Sequence, residues 1–304
     1  RDGVPVVILD PGGKTHRLEL LLSDEELREV EVMSADITRL DDVEATLDGH
    51  QITNVIHLAA LQIPFCRANP PLGAAVNVMG TVNLLEAIHR RADRMGTFVY
   101  AGSLAMFSRD DVDESGAVPA GSDAHPLTHY GVYKQANEGN ANVYAIENGL
   151  PSVGLRPMTV YGPGRDQGMT STPTVAMLAA ALGREYHSPF GGRTLFNYAE
   201  DVAAAFIAAS KNSPDGAITV DLPGVTADMT DIVAAMEKVL PGAGEMITYE
   251  QQTLPFPERI DPDTDAPLGE LPLTPLDEGV AATIGIFQER IAAGSLVPEH
   301  HGLS

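Results

Sequence analysis

Basic residues are scarce in this sequence: 19 lysines and arginines stand against 42 aspartates and glutamates, which gives a formal net charge of −23. Nucleic-acid binding needs a basic face, so we expect no nucleic-acid partner and no long-range attraction for polyanionic substrates. The chain also lacks a run of about 18 apolar residues, so we expect no membrane partner. Its one cysteine, Cys66, excludes an internal disulfide and suits a reducing compartment, from which we expect a cytoplasmic protein.

Short apolar runs alternate with longer helical patterns along most of the chain. The runs lack strict apolar–polar alternation, which indicates strands buried on both faces; they span 4–10, 30–36, 54–60, 97–103, 151–157 and 217–223. Helical patterns lie between them, at 40–49, 71–94, 130–149 and 200–211. This alternation predicts an α/β fold with a doubly wound, Rossmann-like parallel sheet.

The pattern loosens after residue 165, where proline-rich stretches interrupt it. We predict a Rossmann-like domain over 1–165 and a smaller, interleaved substrate-binding lobe over 166–304, with 195–223 returning to the Rossmann sheet. In open α/β sheets, ligands bind outside the carboxyl ends of the strands. We expect the lobe to lie over those ends.

A Gly-rich turn is missing after the first apolar run. A dinucleotide-binding sheet normally opens with a strand, a Gly-rich turn and a helix whose N-terminus holds the pyrophosphate. Here the run ends in Asp10, and the following "PGG" has the wrong spacing for a phosphate loop because no helix begins close behind it. We expect Asp10 to end the second strand of such a sheet, with about 25 to 30 residues of the opening unit absent.

The segment "LTHYGVYKQANEGNANVYAIENG" (127–149) contains Lys134, one of only four lysines, four residues after Tyr130. Residues at i and i+4 share one face of a helix. A free tyrosine, whose pKa is about 10, is a poor base at neutral pH, but a buried ammonium nearby favours the phenolate. Such a pair can exchange a proton with a substrate hydroxyl. Tyr133 has no lysine four residues on and is the weaker candidate.

Ser103 ends the run 97–103, where its hydroxyl would face the cleft and bind the reacting oxygen. A serine at a strand end, followed by a helix with Tyr130 and Lys134, resembles the active site of the extended short-chain dehydrogenase/reductases, also called the NAD-dependent epimerase/dehydratases. Other stretches resemble that family in order: "VVILD", "SADIT", "VIHLAALQ", "VNVMGTVNLLEAI", "GLRPMTVYGPG", "YAEDVAAAF" and "ELPLTPLDEGVAATI". The resemblance implies that Tyr130 moves the alcohol proton, Lys134 holds the nicotinamide ribose and Ser103 orients the substrate.

The resemblance also implies a cofactor site at the strand ends. Asp10 would accept hydrogen bonds from both adenosine-ribose hydroxyls, which favours NAD over NADP, although Lys14 and Arg17 lie nearby. The other cofactor contacts that it implies are Asp36, Ile37, Leu58, Ala59, Ala60, Gln62, Asn77, Tyr130, Lys134 and Pro157.

The substrate side departs from the nucleotide-sugar branch of the family. Two phosphate contacts of that branch, an asparagine and an arginine, correspond here to Thr159 and Thr194, with Arg193 one position off. We therefore favour a dehydrogenase or epimerase acting on a small polar alcohol, such as a sugar, sugar acid or hydroxy acid. The candidate substrate contacts are Gln62, Ser103, Thr159, Arg165 and Arg193, because arginine can bind a carboxylate or a phosphate bidentately.

Two alternatives stay open. One is a nucleotide-sugar 4-epimerase, dehydratase or reductase; the dehydratase is disfavoured because Leu104, and not an acidic residue, follows Ser103. The other is a Rossmann-fold binding protein without catalysis, against which the intact Ser103, Tyr130 and Lys134 argue.

The resemblance further implies a homodimer in which the helices 71–94 and 130–148 pair with their mates. We expect no metal site. His125 and His129 are four residues apart, but no acidic or cysteine partner lies at ligand spacing from them.

Overall fold

The computed structural model describes residues 3–261 and 268–303 of the chain. Every predicted strand is present and is shorter than its apolar run. The strands are Val7–Leu9 (β1), Glu31–Met33 (β2), Val55–His57 (β3), Phe98–Ala101 (β4), Ser152–Arg156 (β5), Thr159–Tyr161 (β6), Tyr186–Ser188 (β7), Thr194–Tyr198 (β8), Ala217–Asp221 (β9), Val225–Ala227 (β10) and Ile247–Tyr249 (β11).

The α-helices are Asp24–Arg28 (α1), Leu40–Gly49 (α2), Ile63–Ala68 (α3), Pro70–Ala74 (α4), Gly80–His89 (α5), His129–Asn148 (α6), Thr172–Ala181 (α7), Ala199–Ser210 (α8), Met229–Val239 (α9), Ala243–Met246 (α10) and Leu276–Ala292 (α11). A π-helical turn, Ala75–Met79, joins α4 to α5. The predicted helix 71–94 therefore begins at Pro70 and ends at His89. Residues 90–95 form hydrogen-bonded turns that lead the chain back towards β4. The sequence pattern did not distinguish these turns from helix.

The central sheet is parallel and has the strand order β3-β4-β5-β9. Strands β1 and β2 form a separate parallel pair. The predicted parallel sheet is thus confirmed, but it is divided into two pieces.

The segment 195–223, predicted to return to the Rossmann sheet, is shared between two sheets. Strand β9 joins the central sheet beside β5, and α8 packs on that sheet. Strand β8 instead lies in a three-stranded sheet, parallel to β6 and antiparallel to β10. The prediction is therefore wrong for β8, because the backbone hydrogen bonds of β8 go to β6 and β10.

Alternate residues of β4 face opposite sides of the central sheet, as expected for an extended strand. Phe98 and Tyr100 pack into a core cluster with side chains of α2, α5 and α6. Val99 packs into a second cluster, built from β5, β9 and α8. Helices therefore cover both faces, which confirms the doubly wound architecture.

The lobe that follows the central sheet has its own core. Helices α7, α9 and α11 bury Met177, Ile232 and Val280 against β6 and β8. Leu20, from the N-terminal part of the chain, joins this core. The two-stranded sheet of β7 and β11 is parallel and belongs to the same lobe.

The continuous helix Pro70–His89 is the one described helix with the length and composition of a membrane span. Half of it is buried within the protein, and its second part, α5, places Leu84, Leu85 and Ile88 in the core beside α2 and α6. This burial is typical of a core helix.

Candidate active site

Helix α6 carries Tyr130 and Lys134 on one face. The helix begins after Thr128, whose Oγ1 accepts a hydrogen bond from Gly131 N–H at 3.0 Å. Lys134 is 3% exposed; its Nζ donates to Ala101 O at 2.6 Å and lies 5.6 Å from the centroid of the Tyr130 ring. The last carbonyl of β4 thus holds the ammonium group beside the half-buried tyrosine.

Ser103 lies two residues beyond the end of β4 and is buried. Its Oγ accepts a hydrogen bond from Ala105 N–H at 3.1 Å, which caps a short 3₁₀ turn. This turn contacts the start of α6: a Cβ at Gly131 would lie 3.0 Å from Ala105 O. The glycine permits this close approach. Ser103 therefore lies just beyond the carboxyl end of β4, in the turn that contacts the start of α6.

Tyr133 takes no part in this arrangement. Its hydroxyl donates to Pro70 O at 2.9 Å, and its ring stacks on His129 with the centroids 6.1 Å apart. The structure therefore gives Tyr133 a packing role. From the sequence, Tyr133 was the weaker candidate for the acid–base group.

Asn77 holds the main chain that follows β3. It is 1% exposed, its Oδ1 accepts from Leu61 N–H at 2.7 Å, and its Nδ2 donates to Leu61 O at 2.8 Å. Asn77 lies in the π turn, and its own carbonyl accepts a hydrogen bond from Thr81 Oγ1 at 2.8 Å. This double hydrogen bond fixes the segment just before Gln62.

A buried histidine supports this turn, and the sequence did not reveal it. His57 Nε2 lies 3.0 Å from Thr81 Oγ1; because that hydroxyl donates to Asn77 O, His57 is the donor in this bond. Burial, with the charge of Lys134 adding to it, lowers the pKa of His57 to about 3. His57 is therefore neutral at physiological pH beside the lysine ammonium.

The acidic residues predicted at the strand ends organise their own turns. Asp10 Oδ1 accepts from Gly12 N–H at 2.8 Å, after β1, and Asp36 Oδ1 accepts from Thr38 N–H at 2.9 Å, after β2. Both carboxylates keep acceptor capacity, since each oxygen can take more than one hydrogen bond.

The apolar residues predicted at the cofactor site differ in exposure. Leu58, directly after β3, is 61% exposed, and the next two residues, Ala59 and Ala60, are half-buried. Ile37 is 7% exposed and packs in the core, where a Cβ at Gly80 would lie 2.6 Å from its Cδ1. The Ile37 side chain is therefore part of the core, and its carbonyl accepts a hydrogen bond from Asn83 Nδ2 at 2.9 Å.

Pro157 follows β5 and is half-buried. Its carbonyl accepts a hydrogen bond from Leu104 N–H at 3.0 Å. This bond joins the ends of β4 and β5, so Pro157 lies beside the Ser103 turn.

The loop over residues 162–171 brings Arg165 and Gln62 together. A Cβ at Gly168, which has a φ of 95°, would collide with Gln62 Oε1 and would lie 3.5 Å from Arg165 Nη2. Arg165 Nη2 donates to Thr170 Oγ1 at 3.0 Å. Gln62 Oε1 and Arg165 Nε are both buried without a hydrogen-bond partner among the described residues.

Arg165 is close enough to Tyr130 for their charges to interact. Burial lowers the pKa of Arg165, and the charges of Tyr130 and Asp166 partly oppose this change. A buried guanidinium with an unused donor is suited to bind an anion.

Asp166, the next residue, is occupied by other groups. Its carboxylate accepts two hydrogen bonds from Arg17, at 2.6 and 2.9 Å, and lies 3.5 Å from His16 Nε2. Arg17 is thereby bound to the loop over residues 162–171, while its charge still interacts with that of Asp10.

Two predicted substrate residues, Thr159 and Arg193, are bonded to partners elsewhere in the fold. Thr159 is 1% exposed, and its hydroxyl is hydrogen-bonded to that of Thr194, 3.0 Å away. The two buried hydroxyls, on β6 and β8, therefore satisfy each other. Arg193 is exposed and donates to Thr226 O at 3.4 Å. Neither contacts Tyr130 in the described part of the chain, because their side chains are directed to partners in and beside β8 and β10.

The structure adds apolar neighbours to Tyr130 that the sequence did not suggest. Its ring packs against a cluster built around Phe190, Leu254 and Phe256, which are 3–5% exposed. These residues come from the segments after 165, where the periodicity was too weak to predict a site. No sequence signal would have found them.

In the ranges 3–261 and 268–303, no group of three or more histidine, cysteine, aspartate or glutamate side chains is arranged to hold a metal ion. His125 instead pairs with Asp111, with Nδ1 and Oδ1 2.6 Å apart.

Residues 2–220 match the NAD dependent epimerase/dehydratase family, which is more than two thirds of the chain. The chain belongs to this family. Family membership confirms the resemblance drawn from the sequence.

The chain is similar in sequence to an epimerase and similar in fold to a dehydrogenase. A UDP-glucose 4-epimerase of Mycolicibacterium smegmatis is 28% identical over 298 residues, 95% of this chain and 92% of the relative. An uncharacterised 37.6 kDa protein of Escherichia coli O111:H- is 31% identical over 210 residues, 66% of this chain but only 54% of that protein. The fold of a partial-consensus L-threonine 3-dehydrogenase matches with a TM-score of 0.81 at 20% identity, over 94% of this chain and 100% of the other.

Proposed function

We propose that this protein is an NAD-dependent oxidoreductase or epimerase that acts at a secondary alcohol of a small substrate. The observation that carries the proposal is the buried Lys134 ammonium, held by Ala101 O and 5.6 Å from the centroid of the Tyr130 ring. A cation fixed there stabilises negative charge on the tyrosine oxygen.

Three residues have separate roles in the proposed reaction. Tyr130 accepts the proton of the substrate hydroxyl at its phenolic oxygen, and it returns this proton in the reverse direction. Lys134 contributes a positive charge beside the tyrosine ring, which stabilises negative charge that develops on that oxygen during proton transfer. Ser103 Oγ already accepts from Ala105 N–H, so its own proton is available to bind the reacting oxygen and orient it towards Tyr130.

The residues at the strand ends fit NAD as the cofactor, which supplies a hydride acceptor when it is bound. Leu58 is apolar yet 61% exposed at the end of β3, the position that a ligand would cover. Asp10 would hold the adenosine ribose and Lys134 the nicotinamide ribose. Arg17, a candidate for a 2′-phosphate, is already paired with Asp166, which favours NAD over NADP.

The preference for a small substrate rests on the two threonines at the positions of phosphate-binding residues. Thr159 and Thr194 are buried and bonded to each other, so they offer nothing to a pyrophosphate. Arg165 retains one unused donor near Tyr130 and would bind a single carboxylate or phosphate. A hydroxy acid or sugar acid has both the alcohol and the anion that this arrangement needs.

The test is incubation with NAD and a panel of hydroxy acids, sugar acids, sugars and nucleotide sugars, read by the absorbance of NADH. We expect NADH to accumulate with a small anionic alcohol and not with UDP or dTDP sugars. Tight binding of UDP or dTDP in calorimetry would contradict the preference for a small substrate.

A nucleotide-sugar 4-epimerase is the second candidate, favoured by the likeness to the M. smegmatis enzyme along almost the whole chain. Such an enzyme returns the hydride to its product. Conversion of UDP-glucose to its 4-epimer without net NADH would therefore support it.

We also propose a homodimer formed by α6 and the helix Pro70–His89. Both expose apolar side chains in a protein of net charge −23: Leu72, Met79, Val132, Val143 and Ile146 are 46–76% exposed. Exposed apolar surface at helical spacing is suited to pair with a second copy.

Replacing Ile146, the most exposed of the five, by glutamate is expected to convert the dimer to a monomer, because a charge would be buried at the interface. Light scattering after gel filtration measures the mass. The matched control is Ile207→Glu, which introduces the same charge at an exposed isoleucine of α8 and is expected to stay dimeric. A dimeric Ile146→Glu protein would contradict the proposed interface.

A further inference from the structure

The helix Pro70–His89 contains one turn with a different hydrogen-bonding pattern. In the π turn Ala75–Met79, the N–H of Gly80 donates to Ala75 O, five residues back, whereas an α-helical bond reaches four residues back. Single π turns inside α-helices are rare and frequently lie at functional sites. Asn77 is the middle residue of this turn, so the turn sets the direction of the Asn77 side chain.

The segment 58–62, directly after β3, depends on that direction. Its residues belong to no helix or strand. Asn77 bonds to both main-chain groups of Leu61, and Leu61 O also accepts a hydrogen bond from Cys66 Sγ at 3.2 Å. Side chains therefore hold this segment in shape, in place of a strand or helix ladder.

Two buried side chains connect the π turn to the central sheet. His57, the last residue of β3, is 7% exposed, and Thr81 is fully buried. His57 Nε2 donates to Thr81 Oγ1 at 3.0 Å, and this hydroxyl donates to Asn77 O at 2.8 Å. The three residues form a relay of hydrogen bonds from the sheet to the turn, and such bonds reinforce one another in a protein interior.

Removal of either end of the relay would weaken the π turn. The remaining buried groups would lose a hydrogen-bond partner in the interior, which is costly. Relaxation of the turn to α-helical bonding would remove its extra residue and rotate the helix on one side of it by about 100°. Asn77 would then no longer be directed at Leu61.

We propose that His57 and Thr81 are positioning residues for the cofactor. They hold the π turn, the turn directs Asn77 at Leu61, and the segment 58–62 thereby keeps the shape that receives NAD. Neither residue contacts the cofactor in this arrangement. The inference rests on the proposed function, because the place of NAD beside this segment belongs to that proposal.

Thr81→Val is the first test, because it removes the hydroxyl and keeps the shape of the side chain. We expect the dissociation constant for NAD, measured by calorimetry, to rise by about 10-fold. The KM for NAD should rise in parallel. The kcat at saturating NAD should change much less, since the residues proposed for proton transfer are untouched.

Thr283→Val is the matched control. Thr283 is also fully buried, and its hydroxyl donates to the carbonyl four residues earlier, that of Gly279, at 2.7 Å. It lies on α11, whose buried side chains pack in the core of the lobe. This variant should leave the affinity for NAD unchanged.

His57→Phe tests the other end of the relay. It removes the donor and keeps an aromatic ring at a position where the imidazole stacks on Phe98, with the centroids 6.1 Å apart. We expect it to weaken NAD binding as Thr81→Val does. His57→Gln keeps a donor and Thr81→Ser keeps a hydroxyl, so both should recover most of the affinity. Recovery distinguishes a role in hydrogen bonding from simple packing.

Hydrogen exchange of the Leu61 amide, followed by NMR without cofactor, measures the position of the segment directly. Asn77 Oδ1 accepts a hydrogen bond from this N–H and protects it from exchange. We expect the exchange to be about 10-fold faster in Thr81→Val, since the opening of one buried hydrogen bond becomes easier. It should be unchanged in Thr283→Val.

The outcomes separate this inference from the proposed function. Equal affinity for NAD in Thr81→Val and Thr283→Val would overturn the inference and leave the proposed function intact. Unchanged exchange of the Leu61 amide in Thr81→Val would overturn it as well. Absence of NAD binding by the unchanged protein would instead contradict the proposed function, and the inference with it.

Discussion

Replacing Tyr130 by phenylalanine is expected to lower kcat by about 10²- to 10⁴-fold, the range that a positioned acid–base group contributes. The variant keeps the ring, which packs against the cluster around Phe190, Leu254 and Phe256, and removes only the oxygen that exchanges the proton. Initial rates of NADH formation with the best substrate of the panel measure the effect. Circular dichroism and the melting temperature should be unchanged.

Tyr133→Phe is the matched control. It removes a hydroxyl from the same helix, one turn away, that is bonded to Pro70 O. Its kcat should stay close to that of the unchanged protein. Equal turnover of the Tyr130→Phe variant and the unchanged protein would refute the proposed chemistry.

Lys134→Met tests the electrostatic part of the same proposal. Without the ammonium, negative charge that develops on the Tyr130 oxygen during proton transfer loses its stabilising partner, so we expect kcat to fall. An unchanged kcat in the Lys134→Met variant would contradict this role of Lys134.

Replacing Arg156 by methionine is expected to cost about 3–5 kcal/mol of unfolding free energy, because it leaves the partly buried carboxylate of Glu138 without its counterion. Arg156 lies on β5 and donates two hydrogen bonds to Glu138 on α6, at 2.6 and 2.7 Å, and one to Asp221 on β9, at 3.2 Å. Burial lowers the pKa of Arg156, but the bonds to the two carboxylates outweigh it and raise the pKa overall. Urea denaturation at pH 7 measures the change.

Arg90→Met provides the comparison. Arg90 makes its ion pairs with Glu86 and Glu44 at the surface, where solvent screens them, and it should change stability far less. Equal effects of the two substitutions would show that the Arg156 group is not the link between α6 and the sheet. Because α6 carries Tyr130 and Lys134, activity should also be lost at a lower urea concentration in Arg156→Met than in Arg90→Met.

Features that depend on neighbouring residues in the sequence were predicted correctly. The Tyr130–Lys134 pair follows from the period of the helix, which places residues four apart on one face. The position of Ser103 follows from the length of an apolar run. The family was recognisable because several such local motifs occur in order, and each of them can be identified without knowledge of its distant contacts.

Features made by distant residues could not be predicted. Thr159 and Thr194 are 35 residues apart, and only the pairing of β6 with β8 showed that they satisfy each other. Arg17 and Asp166, 149 residues apart, meet because the chain before α1 lies against the loop at 162–171. No periodicity encodes such a pair, since both residues are typical of an exposed loop.

The sequence by itself determined the alternation of strands and helices, the placement of Tyr130 and Lys134 on one face of a helix, and the family to which the chain belongs. Only the tertiary structure decided that the parallel strands form two sheets, that β8 leaves the central sheet, and that Tyr130 packs against Phe190, Leu254 and Phe256. The physical reason is the range of the interactions. Backbone hydrogen bonding and helical period act within a few residues, whereas the walls of the site are set by packing between segments more than 100 residues apart in the chain.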